Sequence, residues 1–114
     1  MIKRFESGPR MSQAVVHGNT VYIAGQVADD TSADVAGQTR QVLASIDRLL
    51  AAAGSDKSRI LAATVYLADI GSFSAMNSAW DAWVAPGNAP ARATVEAALA
   101  APAYRVEIVV IAAL

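Results

Sequence analysis

Cysteine is absent from this chain of 114 residues, and histidine occurs once, as His17. The first absence excludes disulfides, thiolate zinc sites, iron–sulfur clusters and cysteine nucleophiles together. The second excludes a multi-histidine metal site within one chain. Charged residues make up only 17% of the sequence, and they balance: 9 Lys and Arg against 10 Asp and Glu, a net charge of -1. A module held to nucleic acid through phosphate contacts carries a basic excess, and none is present here. No apolar run approaches the ~18 residues that span a membrane. The N-terminal stretch MIKRFESGPRM has no apolar core of signal-peptide length. The expectation is a soluble, cytoplasmic protein with no membrane and no nucleic-acid partner. Spacings of the GxGxxG, P-loop, HExxH, GxSxG and EF-hand type are missing as well.

What is present is apolar: 54% of residues, with alanine the commonest type. The length suits a single domain over 1–114 with one core. So many apolar residues on so small a chain suggest that part of the surface is covered by another subunit.

Gln13 to Ala24 reads as two strands around a Gly18-Asn19 turn, a dipeptide that tolerates positive φ. The second strand runs into Gly25-Gln26, and a glycine there signals a bulge or a close backbone approach. Val35, Thr39, Val42, Ile46, Leu49, Leu50 and Ala53 recur at helical spacing, with Ser32 or Asp34 as N-cap and Gly54 as the stop. Gln38, Gln41, Asp47 and Arg48 fall on the polar face. Arg59 to Ala68 reads as a strand apolar on both faces. Ser72 caps a second helix whose stripe is Phe73, Met76, Trp80, Trp83 and Val84, a face fit for core packing. Two strands follow, Ala91 to Leu99 and Tyr104 to Ala112, close enough in sequence for an antiparallel hairpin. The order is β-β-α-β-α-β-β, an α+β layout with both helices on one face of the sheet. Arg92, Glu96 and Glu107 are expected on the opposite face, among apolar neighbours such as Ile111.

Charges on apolar strands need a reason. Arg92 offers a planar fork matched to a carboxylate. Glu107 sits in Val106-Glu107-Ile108-Val109-Val110, the most apolar strand of the chain. A carboxylate there is either salt-bridged or tuned to move protons. Arg92 with Glu107, or Arg105 with Glu96, would make a structural ion pair; the functional reading places Arg92 and Glu107 in a site. His17, one residue before a turn, reads as a strand-end side chain.

Three stretches together resemble the RidA family, also called the YjgF or reactive-intermediate deaminase family: Ala24-Gly25-Gln26, Ala89 through Glu96, and Val106-Glu107-Ile108. Met76 through Trp83 is similar to a short bacterial branch of it. The resemblance implies a chorismate-mutase-like fold and a homotrimer with clefts between subunits. It implies hydrolysis of 2-imino or enamine acids to 2-keto acids and ammonia, with no metal and no organic cofactor. Carried over by position, Arg92 binds the substrate carboxylate, Glu107 positions or activates water, and the Gly25 backbone contacts the ligand. Met11, Ala24 and Thr94 would also line the pocket, where the family often has tyrosine, serine and cysteine. Those three changes leave a non-catalytic small-carboxylate-binding member as the alternative. An endoribonuclease is a third reading, which the charge balance supports little.

Overall fold

The computed structural model describes residues 1–114. Its elements are β1 (Ile2–Ser7), β2 (Ser12–His17), β3 (Thr20–Gln26), α1 (Val35–Ala53), β4 (Ile60–Leu67), α2 (Phe73–Trp83), β5 (Ala91–Glu96) and β6 (Val106–Ala113). A single six-stranded sheet forms in the order β1-β2-β3-β6-β4-β5. Only β4 and β5 run parallel; the other neighbours are antiparallel. This is the two-helix, mostly antiparallel α+β architecture expected from the sequence, with one more strand at its start.

The extra strand, β1, leaves five of its six residues exposed, so it lacks the alternation that marks a half-buried strand. A tight turn joins it to β2, in which the Gly8 N–H donates to the Met11 carbonyl at 2.8 Å. The expected closing hairpin does not form. Strand β5 follows β4 through α2 and lies parallel to it at the sheet edge. Strand β6 then returns antiparallel between β3 and β4. A crossover through a helix delivers a parallel neighbour, so β5 takes that place and β6 fills the centre.

Local chemistry explains both ends of α1. The Asp34 carboxylate accepts the Gly37 N–H at 2.8 Å, which selects Asp34 over Ser32 as the N-cap. At the other end Gly54 takes φ +91°. Its N–H reaches the Ala51 carbonyl, and the Ser55 N–H reaches that of Leu50, the paired bonds of a Schellman motif. Ser72 precedes α2 without a capping side-chain bond.

One face of the sheet carries Val21, Ile23, Ala63, Val65, Leu67, Val106, Ile108 and Val110. These pack with Val42, Ile46, Leu49 and Leu50 of α1 and Met76 and Trp80 of α2 into one buried cluster. Gln38 departs from its expected polar face and is fully buried. Its Oε1 accepts the Arg105 N–H at 3.0 Å, and its Nε2 donates to the Ala103 carbonyl at 3.1 Å. Both bonds tie the link between β5 and β6 to α1, and they satisfy an amide that would otherwise be costly to bury.

Replacing the N-cap should show directly in stability. Asp34→Ala is expected to lower the unfolding free energy by about 1 kcal/mol, read as an earlier midpoint in urea denaturation at an unchanged slope.

Candidate functional site

Two structures on this chain have the makings of a site. The first lies on the sheet face turned away from the helices. Between the pairs Ile23–Val110 and Gln26–Ile108, strand β3 has two residues where β6 has one, so Ala24 and Gly25 form a β-bulge. Glu107 projects onto this open face, while Val106 and Ile108 on either side are buried against the helices. Its carboxylate lies directly over the Gly25 α-carbon. A Cβ built at Gly25 would stand 2.8 Å from the Glu107 carboxyl carbon and closer still to one oxygen. Glycine is required here for space, not for an unusual φ. The Glu107 carboxylate makes no ion pair, since the only salt bridge in the chain joins Arg48 to Glu6.

The second structure surrounds Arg92 near the start of β5. Register pairs Arg92 with Ala63 and Thr94 with Val65, both buried beneath the helices, so Arg92, Thr94 and Glu96 share the helix side. The Arg92 guanidinium carbon lies 5.0 Å from the Trp80 ring centre and 5.9 Å from that of Phe73. One of its nitrogens is 3.9 Å from the Met76 sulfur. An aromatic face holds a cation without using up its N–H groups. Apart from the N–H directed at Met76, the guanidinium donors therefore stay free to grip an anion. Two residues along, Thr94 Oγ1 is the one buried side-chain polar atom without a partner. A buried hydroxyl left unbonded costs about 1–3 kcal/mol, which suits a group awaiting a partner from outside the chain.

The expected placement of Arg92, Glu96 and Glu107 on one face is therefore corrected. Parallel pairing of β5 with β4 sets Arg92 in register with Ala63, whereas antiparallel pairing of β6 sets Glu107 opposite Tyr66. Within one copy the two groups are two strands apart, ~10 Å sideways, and on opposite faces. Neither suggested ion pair, Arg92–Glu107 or Arg105–Glu96, forms. Glu96 instead accepts the Ile70 N–H at 3.0 Å.

The remaining candidates do not all fall at these two places. Ala24 belongs to the bulge beside Gly25. Met11 is exposed in the turn before β2. His17 is exposed at the end of β2, paired with Thr20 across the turn. A polar cleft of about 260 Å³ includes Gly25, Gln13 and Gln26 in its walls but neither Arg92 nor Glu107. No three His, Cys, Asp or Glu side chains converge as metal ligands would. The residues missed from the sequence are Phe73, Met76 and Trp80 as the cradle of Arg92. Their helical spacing marks a buried face; only the tertiary placement of the β5 edge shows that this face ends at a cation.

Known proteins are similar to this chain over nearly its whole length. The family description Endoribonuclease L-PSP matches residues 1–114. A RutC family protein of Haemophilus ducreyi is 52% identical over 114 residues, covering 100% of this chain and 97% of its own. A 2-iminobutanoate/2-iminopropanoate deaminase of Rattus norvegicus is 36% identical over 107 residues, covering 89% of this chain and 77% of its own. The crystal structure of a YjgF family member from Neisseria meningitidis superposes with a TM-score of 0.97 at 48% identity, covering 99% of this chain and 94% of that one.

The contact between Gly25 and Glu107 can be isolated by a double-mutant cycle. Gly25→Ala is expected to cost about 1–3 kcal/mol by overpacking. In a Glu107→Ala background the same change should cost much less, because the new methyl then has room. Denaturant unfolding of the four proteins measures the coupling.

Proposed function

We propose that this chain, which belongs to the endoribonuclease L-PSP family and has RutC and YjgF proteins among its relatives, hydrolyses 2-imino acids to 2-keto acids and ammonia. The observation that carries this reading is the pair of half-sites: an arginine held ready for an anion, and a carboxylate seated over a bare glycine α-carbon. The mammalian relatives named as imine deaminases support the reaction class.

The chemistry follows from the groups. Arg92 presents a planar fork to the carboxylate of a 2-imino acid, and the Trp80 and Phe73 rings beside it hold the fork in place. Clamping one end of a small substrate orients its iminium carbon. The Glu107 carboxylate takes a proton from water as the oxygen adds to that carbon. The resulting carbinolamine needs a proton on its nitrogen, and the same carboxyl returns it. As the C–N bond breaks and ammonia leaves, the Glu107 carboxylate takes the hydroxyl proton and the carbonyl forms. One iminium ion and one water yield one ketone and one ammonium ion, the last proton passing from Glu107 to the departing ammonia.

Because Arg92 and Glu107 stand on opposite faces, a complete site takes Glu107 and Gly25 from one copy and Arg92 and Thr94 from the next. The open sheet face supports such an assembly. It leaves Tyr22 46% and Val95 43% exposed, beside half-buried Val15, Val109 and Ile111. An apolar sheet face left open to water is the kind of surface a partner subunit covers. A closed homotrimer with three equivalent clefts meets the requirement that every copy gives one half and receives the other.

Keto-acid formation from 2-iminopropanoate, generated in place by an amino-acid oxidase, tests the activity. Arg92→Ala and Glu107→Ala should each lose roughly a hundredfold in kcat/KM. No acceleration by the parent protein over buffer would sink the reading. Refolding the two inactive variants together should restore about a quarter of the parent activity, since random mixing leaves that share of shared sites intact. Absence of any recovery would place both groups in the same copy's site and contradict the division argued above.

A further inference from the structure

Gln26 is an amide buried at the end of β3, only 7% exposed, and the hydrolysis reading gives it no task. Its side-chain nitrogen donates two hydrogen bonds, each 2.9 Å long. One goes to the Ala24 carbonyl and the other to Gln13 Oε1. These use both hydrogens of the NH2 group. The direction of the pair is dictated rather than free. A backbone carbonyl only accepts, so Gln26 must turn its nitrogen toward Ala24. Gln13 must then offer its oxygen in return.

The carbonyl so held belongs to the Ala24–Gly25 peptide, which lies inside the bulge. A bulge carries one residue more than the ladder opposite can pair, so strand pairing alone does not set its tilt. The same peptide leads into the glycine whose bare α-carbon forms the floor under the Glu107 carboxylate. A small rotation of that peptide would move the floor.

We propose that Gln26 is a positioning residue: its amide locks the tilt of the Ala24–Gly25 peptide and thereby sets where the Glu107 carboxylate rests. It acts through Gly25 and Glu107 and touches no reacting atom. Its consequence for turnover rests on the imine-hydrolysis reading; its consequence for geometry does not. Gln13 serves as the acceptor that completes the lock, and its own NH2, which has no partner in the chain, remains accessible.

Two substitutions test this in the whole protein. Gln26→Met keeps the length of the side chain and removes both donors. Gln13→Lys changes a half-buried neighbour and offers only donors. It obliges Gln26 to turn its oxygen toward residue 13, which withdraws the NH2 group from Ala24. Crystal structures of both variants should show the Ala24 carbonyl rotated and the Glu107 carboxylate moved off Gly25. In the imine assay kcat should fall about tenfold with KM unchanged, the mark of a displaced catalytic group rather than a weakened carboxylate clamp. An unmoved Ala24–Gly25 peptide with Glu107 in its parent position would overturn the proposal, as would a loss confined to KM. If Gln26→Met fails to fold, Gln13→Lys decides alone, because native Gln26 still fills the buried space. If the parent protein hydrolyses no imine, the functional reading fails, while the position of Glu107 in the variant structures still decides this one.

Discussion

A carboxylate can stand near the start of the central strand β6 because β3 gives up a side chain beside it. β6 has strands on both sides, and its residues alternate between the core and the open face. A charged group in such a place needs both room and access to water, since a fully buried and unpaired carboxylate is costly. The bulge at Ala24–Gly25 and the missing Cβ of Gly25 provide the room. In the assembly proposed above, the cleft between copies provides the access. The irregularity in the ladder is thus tied to the one acidic group on the central strand, which is how bulges beside functional groups are usually employed.

The basic half of the proposed site is held by a different device. Arg92 is kept in place by aromatic rings and a sulfur, without an acidic partner. Pairing it to a carboxylate of the protein would hold it as firmly but would use up the donors that an incoming anion needs. Trp80 therefore has two tasks: its buried body fills the core, and its ring supports the cation.

Much of this was legible in the sequence, where the determining chemistry is local. Asp34 and Gly54 bound α1 by capping geometry that spans only a few residues. The Gly18-Asn19 turn, the irregularity at Gly25 and the two-faced pattern of β6 are also local. Strand order is not. β5 and β6 are neighbours in sequence and not in the sheet, because the crossover through α2 fixes β5 beside β4. That one feature also moved Arg92 to the helix side. Gln38 shows a conflict between position and type: its spacing to Val42 and Leu49 places it on the apolar stripe, while its amide suggested solvent. Position prevailed because the link between β5 and β6 supplied backbone partners. β1 was hidden because exposed strands carry no alternation.

The central place of β6 has a consequence for how the molecule is made. β6 is the last of the six strands to leave the ribosome, yet it joins the β1–β3 meander to the β4–β5 pair. Until it is inserted, β3 and β4 each present an unpaired edge, the kind of template that recruits strands from other chains. Folding of this sheet must therefore wait for a long-range closure by the last of its strands. A nascent chain stalled before Val106 would hold most of the apolar face with nothing to zip it shut, and such intermediates would be natural clients for chaperones.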